Sequence, residues 1–233
     1  MEIPAAIPPG KRAVLHSHGS YARTNASAIR QTRATHISST LDLELLGLGQ
    51  WVPSAYDLDA LATYRERSAI LTIAHAGTWP EGKSTAAFLD ACTRLSRELP
   101  IRVLHIQNAT HAECLRLKGT ADIYFDQVLT GYGNNAVEAW GMGIPVVAGL
   151  EPAEARKRGH LIPDETPDEM ERRWGGFPFL RADEGSIYDA LVTLVDPGAR
   201  RYWAERGRAH VRRFHDERVV VRQLEDIYRR AVS

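Results

Sequence analysis

Short apolar runs alternate with amphipathic stretches along the middle of the chain. Apolar runs that predict strands occupy residues 69–74, 101–106, 121–125 and 145–148, and the first of them is near-continuous, as in strands buried on both faces. The stretches between them have helical spacing and occupy residues 84–98, 111–119 and 134–142. This alternation predicts an α/β fold with a Rossmann-like, doubly wound parallel sheet, whose ligand crevice lies at the carboxyl ends of the strands.

The beginning of the chain has the same alternation on a smaller scale. Residues 12–16, 34–38 and 50–53 predict strands, and residues 24–33 and 41–46 predict short helices. This section is too small for a complete Rossmann unit. We therefore expect a small, partial N-terminal α/β subdomain with its hinge at residues 1–60, and a larger Rossmann-like domain with C-terminal helices at residues 61–233.

The last third of the chain changes in character twice. Residues 151–179 are rich in Pro, Glu and Arg and are predicted to be looped or irregular. Residues 187–232 are predicted to be helical, with Pro197 and Gly198 dividing them into two elements.

The charge balance changes this picture only locally. Lys plus Arg and Asp plus Glu both number 29, so the formal charge of zero implies no overall attraction to nucleic acid or a membrane. A basic cluster without acidic residues lies near the start and comprises Lys11, Arg12, Arg23, Arg30 and Arg33. It could contact an anionic substrate, although solvated helix faces are the commoner explanation of such a cluster.

The two cysteines and the distribution of apolar residues bear on compartment. Cys92 and Cys114 lie in predicted helices without a CxxC partner, which favours idle thiols in a reducing compartment over a metal site. No apolar run is long enough to cross a bilayer, and residues 1–10 lack the hydrophobic region of a signal peptide. We expect a cytoplasmic protein with no transmembrane segment.

The strongest candidate chemistry lies in a glycine-rich loop between a predicted strand and a predicted helix. Gly131 and Gly133 allow a ligand close to the backbone, and the free N–H groups at the helix start favour a phosphate or sugar hydroxyls. Glu138, in the first turns of that helix, could accept hydrogen bonds from the vicinal hydroxyls of a ribose. Spacing alone equally allows a turn followed by a helix whose acid complements the dipole.

The run ADIYFDQVLTGYGNNAVEAWGMGIPVV at residues 121–147 resembles the "AD…GxxG…EAMAxGxPVV" region of retaining GT-B glycosyltransferases of the family 4 type. In that family the glutamate binds the ribose of a nucleotide-sugar donor, a role that the resemblance gives to Glu138. The glycine-rich loop embraces the phosphates and sugar of the donor, which implies donor binding by Gly131, Tyr132, Gly133, Asn134 and Asn135. Many members have a second, sugar-binding glutamate where this chain has Thr130, a departure that leaves the sugar open.

Other stretches resemble the same family in the same order. Residues 75–85, HAGTWPEGKST, are similar to the loop whose lysine pairs with the donor diphosphate, so Lys83 is expected to stabilise the leaving nucleotide; the alternative is a solvated lysine at a helix start. Residues 16–20, HSHGS, resemble "HxHGSD", in which the histidine faces the transferred sugar. This implies a catalytic role for His18, beside the donors Gly19 and Ser20.

Alternatives remain for these residues and for the end of the chain. His18 could merely cap the strand end, and His16 is expected to be structural. The tail at residues 206–230 resembles the closing helices of the family, which cross back toward the first domain.

The resemblance implies retaining, metal-independent transfer of a sugar from a nucleotide diphosphate sugar, without a cofactor, by the catalytic residues His18 and Lys83. It leaves the nucleobase, the sugar and the acceptor open; the acceptor could be a carbohydrate, a lipid, a small molecule or modified DNA. Since the resemblance also implies that most of the usual N-terminal domain is missing, we expect a homo-oligomer or a partner subunit. The alternatives are a non-catalytic nucleotide-sugar-binding subunit and a transferase that glycosylates modified DNA bases.

Overall fold

The computed structural model describes residues 11–66, 69–77, 83–157 and 166–232. The strands are β1 Val14–Ser17, β2 Thr35–Ser38, β3 Gln50–Trp51, β4 Leu71–Ala76, β5 Ile101–Ile106, β6 Ile123–Phe125, β7 Thr130–Gly131, β8 Val146–Leu150 and β9 Leu180–Arg181. The helices are α1 Gly19–Thr24, α2 Ala26–Arg30, α3 Leu41–Leu45, α4 Leu58–Thr63, α5 Thr85–Leu95, α6 His111–Gly119, α7 Asn134–Gly141, α8 Pro152–Lys157, α9 Pro167–Trp174, α10 Ile187–Thr193, α11 Pro197–Phe214 and α12 Glu217–Val232.

The larger sheet is doubly wound, which confirms the predicted fold class. Its parallel strands lie in the order β5, β4, β6, β8, β9, and the short β7 pairs antiparallel with β8. In chain order this is the 2-1-3-4-5 arrangement of doubly wound folds, so the strand order reverses between β4 and β6. The carboxyl ends of β4 and β6 therefore mark the crevice where such folds bind ligands.

Both faces of this sheet are covered, so its central strands are apolar on both sides. Ala74 of β4 packs into one core with Trp140 of α7, whereas Ile73 packs into the opposite core with Phe88 of α5. The alternation follows from the two-residue period of a strand. Helix α11 approaches the buried Trp140 closely because Gly207 has no side chain; a Cβ there would lie 2.0 Å from the indole.

The smaller sheet contains the parallel strands β1, β2 and β3 in that order. Helices α1, α2 and α3 pack together with Leu15 of β1 through Ala22, Ile29 and Leu43. Helix α12 packs against Ile37 of β2 through its own apolar residues. The last helix thus crosses back onto the smaller sheet, as the family resemblance implied, while the division of the chain near residue 60 stays a prediction.

Two predictions about the last third of the chain were wrong. Helices α8 and α9 lie within residues 151–179, where an irregular segment was expected. Helix α9 begins with a capping box in which Thr166 and Glu169 each hydrogen-bond the other's backbone N–H, a local signal that the Pro- and Glu-rich composition hid. The tail has three helices rather than two, because the chain also breaks at His215 and Asp216 between α11 and α12.

Smaller differences shift elements within the predicted pattern. The helical segment expected at residues 24–33 begins at Gly19, so residues 19 and 20 belong to α1. Strand β4 ends at Ala76, which places His75 inside the strand. Within the described residues, no helix is both long enough and apolar enough to cross a membrane.

Candidate functional site

A buried carboxylate joins three segments at the carboxyl ends of β4 and β6. Asp126 follows β6 directly and is fully buried. Its Oδ1 accepts a hydrogen bond from Nζ of Lys83 at 2.6 Å, and its Oδ2 accepts one from the backbone N–H of Gly133 at 2.6 Å. Lys83 and the start of α7 therefore meet at the point where the strand order reverses.

This arrangement bears on one alternative and on one expectation. Lys83 is not a solvated lysine at a helix start, because its ammonium is paired with Asp126 and its side chain is only 21% exposed. The N–H of Gly133 was expected to contact a diphosphate, but it already donates to Asp126. An ammonium has three donors, so Lys83 can contact an anion while it still holds Asp126.

Glu138 lies one turn further along α7 and is also buried. Its Oε2 accepts a short hydrogen bond from Nζ of Lys118, which is fully buried, and its Oε1 lies 2.9 Å from Nε2 of His111. Lys118 also donates to Oδ1 of Asn135 at 2.8 Å. The carboxylate that the sequence assigned to a ribose is thus held by a cation and shared with an exposed imidazole.

An open pocket lies beside these groups. Its volume is about 730 Å³, within the range of small-molecule sites. It is lined by Ala76, Gly77, Lys83, Ile106, Gln107, Asn108, Ala109, His111, Cys114 and Asn135. Among the predicted site residues, Lys83 and Asn135 line this pocket, and Glu138 lies behind His111.

A second, narrow cavity of about 40 Å³ lies between the two sheets. One wall comes from the carboxyl edge of the smaller sheet and contains Ser39, Thr40, Asp42 and Trp51. The other wall comes from the glycine-rich loop and its surroundings and contains Thr130, Tyr132, Gly133, Asn134, Val137 and His215. The loop predicted to bind the donor therefore faces the smaller sheet across a cleft.

Two residues of the glycine-rich loop have a structural role within the loop itself. Gly131 has a φ of +83°, a left-handed conformation in which a side chain would be strained. Thr130, which stands where many family members have a glutamate, donates its hydroxyl to Oε1 of Gln127 at 3.0 Å. A neutral hydrogen-bonded pair thus stands where the resembled family often has a carboxylate.

Tyr132 connects the loop, through two histidines, to the segment after β3. Its hydroxyl lies 2.8 Å from Nε2 of His210 and 3.2 Å from Nε2 of His215. His215 Nδ1 lies 3.0 Å from the carbonyl oxygen of Ser54, in the segment after β3. Burial lowers the pKa of His210 to about 3 and that of His215 to about 4, so both rings are neutral at pH 7.

His18 lies between the carboxyl end of β1 and the start of α1. It is the exposed N-cap residue of α1, and its ring centroid is 4.0 Å from that of His16. Burial lowers the pKa of both rings, and each is neutral at pH 7. His18 is not among the described lining residues of either cavity. Gly19 has a φ of +54° at the start of α1, and the side chain of Ser20 lies outside the described residues.

The motif at residues 75–85 is only partly described, because residues 78–82 lie outside the described residues. His75 is buried in β4, with Nδ1 3.0 Å from the carbonyl oxygen of Phe125 and Nε2 2.8 Å from Oγ1 of Thr85. Burial lowers the pKa of His75 to about 4. Its ring therefore supports the site as a neutral structural group.

Three residues of this site were missed from the sequence. Asp126 had a usable signal, since it directly follows a buried strand at the edge where ligands bind. Lys118 and His111 had none, because their partner Glu138 lies on another helix, 20 and 27 residues away.

Within the described part of the chain, no group of three or more His, Cys, Asp or Glu side chains is placed to hold a metal ion.

No protein-family model matches the chain, and no curated protein matches it in sequence. The structure does match solved structures. Anabaena HepE, solved in complex with UDP and glucose, is 14% identical with a TM-score of 0.61, and the match covers 93% of this chain and 71% of HepE. HepE has also been solved with UDP-glucose.

Two further matches agree with the first. A glycosyltransferase from Rickettsia africae is 9% identical with a TM-score of 0.57, over 94% of this chain and 70% of that one. A chain of the GtfA/B complex is 13% identical with a TM-score of 0.57, over 92% of this chain and 48% of that one. At such identities the similarity shows the fold, which is the GT-B glycosyltransferase fold.

Proposed function

We propose that this chain is a glycosyltransferase that uses a nucleotide diphosphate sugar as its donor. The observation that carries the proposal is the meeting of Lys83, Asn135 and Glu138 beside one open pocket at the reversal of the strand order. The GT-B fold adds support, because HepE, which shares it, has been solved with UDP and glucose and with UDP-glucose. The family 4 type and the UDP donor are parts of this proposal.

The positions of these groups suggest how such a donor lies. The nucleobase occupies the end of the open pocket near Gln107 and Asn108, and the ribose lies at Glu138. The diphosphate lies at Lys83 and the first turn of α7, where a helix N-terminus favours an anion. The sugar then points toward the cleft that Thr130 lines.

Lys83 is the proposed electrostatic catalyst. The bond between the sugar and the diphosphate breaks with negative charge developing on the leaving phosphate, and a positioned cation stabilises that charge. Asp126 keeps the ammonium at the pocket edge, and the Gly133 N–H helps to hold Asp126 in place. His18 is proposed to lie beside the sugar and acceptor, as the family resemblance implies.

Retention of the anomeric configuration and independence from metal follow only from the resemblance. The anomeric configuration of the product, measured by NMR, tests the first. Activity that persists after exhaustive chelation tests the second. A cytoplasmic location and an assembly with a second copy or a partner subunit are likewise proposals.

The experiment that tests the transfer is release of nucleotide from a panel of UDP-sugars and GDP-sugars, with and without candidate acceptors. We expect acceptor-dependent release from one donor, and loss of that release in Lys83→Met. Tight donor binding without turnover on any acceptor, alone or with any partner, would refute catalysis.

A non-catalytic nucleotide-sugar-binding subunit is the second candidate. Two observations favour it: Lys83 is already neutralised by Asp126, and Thr130 and Gln127 occupy the position of the sugar-binding carboxylate. The same panel distinguishes it, since a binding subunit shows thermal stabilisation by a donor without nucleotide release.

Glycosylation of modified DNA has less support. Of the basic cluster near the start of the chain, Arg23 is paired with Asp42 at 2.7 Å, and Arg30 donates to the carbonyl oxygen of Leu46. The ion pair offsets the charge of Arg23, and the contact of Arg30 leaves fewer of its N–H donors for a phosphate backbone.

A further inference from the structure

A buried lysine, Lys118, contacts the carboxylate that is proposed to bind the ribose. Lys118 is fully buried, and burying an ammonium costs several kcal/mol unless its charge and its donors are satisfied. Its Nζ donates to Oε2 of Glu138 and to Oδ1 of Asn135, and it also lies 5.0 Å from the ring centroid of Tyr124. The cation is therefore fixed from several directions.

Two helix faces meet at this lysine. His111 and Lys118 lie two turns apart on α6 and hence on one face of it, and both contact Glu138. Asn135 and Glu138 are three residues apart on α7 and share the opposing face. The capping box of Thr110 and Glu113 fixes where α6 begins and so places both α6 side chains.

The two oxygens of Glu138 differ in their surroundings. Oε2 contacts the buried Lys118, and Oε1 contacts His111, whose side chain is 72% exposed and lines the open pocket. Only Oε1 therefore faces the side from which a ligand arrives. A carboxylate oxygen has two lone pairs, so Oε1 can accept hydroxyl donors beside or in place of His111.

We propose that Lys118 is a positioning residue: it fixes Glu138 and Asn135 together, so that Oε1 of Glu138 takes the ribose hydroxyls while Asn135 faces the diphosphate. This rests on the proposed function, since it requires a nucleotide in the open pocket. Lys118 itself does not touch the nucleotide.

The test compares nucleotides with and without the 2′-hydroxyl. Binding of UDP, GDP and ADP and of their 2′-deoxy analogues is measured by titration calorimetry on the whole chain. A hydrogen bond to a charged acceptor predicts a ribose preference of about 10- to 100-fold in the unaltered protein. In Lys118→Met that preference falls to about twofold or less, because Glu138 is no longer fixed, whereas a purely structural lysine would leave the preference in the folded fraction unchanged.

Arg116→Met is the matched control. It removes a basic side chain from the same helix at an exposed position, and the ribose preference is expected to persist. A Lys118→Met protein that binds with the full preference overturns the proposal.

A second set of variants covers the case in which Lys118→Met does not fold. Lys118→Met with Glu138→Gln replaces the buried ion pair by a neutral pair, which often preserves stability. In the otherwise unaltered protein, Asn135→Ala should weaken binding of the 2′-deoxy diphosphate by about three- to tenfold. In the double variant it should weaken binding by less than about twofold, because Asn135 is no longer positioned there. Equal losses in both backgrounds overturn the proposal.

Failure of the proposed function looks different from failure of this inference. If no nucleoside diphosphate binds the unaltered protein, the donor site and the inference are both overturned. If nucleotides bind with a ribose preference that Lys118 does not affect, the donor site stands and only the inference is overturned.

Discussion

Two carboxylate–lysine pairs hold the two ends of the candidate site, and they differ in how their lysines meet solvent. We call Lys83 with Asp126 the outer pair and Lys118 with Glu138 the inner pair. Both carboxylates are buried, but the lysine of the outer pair is 21% exposed and lines the open pocket, whereas the lysine of the inner pair is fully buried.

The difference assigns different tasks to the two pairs. The ammonium of the outer pair can direct its remaining N–H groups at an anion in the pocket while it still donates to Asp126, whose other oxygen accepts from the Gly133 N–H. The lysine of the inner pair has no such freedom, because its donors are directed at Glu138 and Asn135. We therefore propose that the outer pair supplies charge to a ligand and that the inner pair supplies geometry.

The largest expected effect is on stability, from breaking the inner pair. Lys118→Met leaves the carboxylate of Glu138 buried without its cation, so we expect a loss of about 3–5 kcal/mol in the free energy of unfolding. Urea denaturation at neutral pH measures it. The double variant with Glu138→Gln should recover most of the loss, and Arg116→Met should cost less than about 0.5 kcal/mol. A single variant within about 1 kcal/mol of the unaltered protein would contradict the buried pair.

The sequence predicts the two pairs only in part, because each pair joins residues that are far apart along the chain. The strands around Ile73 and Ala74 were predictable, because both faces of the sheet are covered and an apolar run shows this directly. The site's place at the carboxyl ends of the strands followed from the same alternation. Lys83, Asn135 and Glu138 were singled out by a family resemblance, and their roles stay predictions; the structure places Lys83 and Asn135 at one pocket, with Glu138 beside them.

The partners of those residues were not predictable. Asp126 lies 43 residues from Lys83, and Lys118 lies 20 residues from Glu138, on a different helix. Sequence periodicity reports which face of an element is apolar, but it does not report which side chain of another element meets it. The same limit applies to Tyr132, whose contacts with His210 and His215 span about eighty residues. Thr130 was identified as a departure, but its bond to Gln127 required coordinates.

The effects of the two pairs on the free energy of unfolding are best compared at a pH at which the buried histidines do not titrate. Burial lowers the pKa of His75 to about 4, of His210 to about 3 and of His215 to about 4, against an ordinary value of 6.5. Between pH 6.5 and each lowered pKa, the unfolded chain binds more protons than the folded chain. This contribution to stability is therefore complete above pH 6.5 and is lost as the pH falls from 6.5 toward 4, by at most about 1.4 kcal/mol per pH unit for each histidine.

Urea denaturation at several pH values between 4 and 7.5 measures this slope. His210→Phe should make the slope shallower, whatever it does to stability at neutral pH, because one of the rings whose pKa is lowered by burial is gone. A variant with an unchanged slope would show that His210 is not buried in its neutral form.

Breaking the outer pair is expected to lower ligand affinity in the folded protein. Lys83→Met should weaken binding of a nucleoside diphosphate by about 10- to 100-fold, because a charge-assisted contact to phosphate is lost. Binding of the corresponding nucleoside, which has no phosphate, should change less than about threefold. Calorimetry with UDP and uridine, or with whichever diphosphate binds, makes the measurement. Equal losses for the nucleotide and the nucleoside would place Lys83 away from the diphosphate and remove the contrast between the pairs.

The smallest expected effect comes from the exposed partner of the inner pair. His111 contacts the same carboxylate as Lys118, at 2.9 Å, but its side chain is 72% exposed, so water can replace its hydrogen bond to Oε1. His111→Ala should therefore change the free energy of unfolding by less than about 0.5 kcal/mol at neutral pH. Urea denaturation beside Lys118→Met compares two partners of one carboxylate. If His111→Ala lowered the free energy of unfolding as much as Lys118→Met does, the buried and the exposed partner of Glu138 would contribute equally to stability, which contradicts the argument from burial.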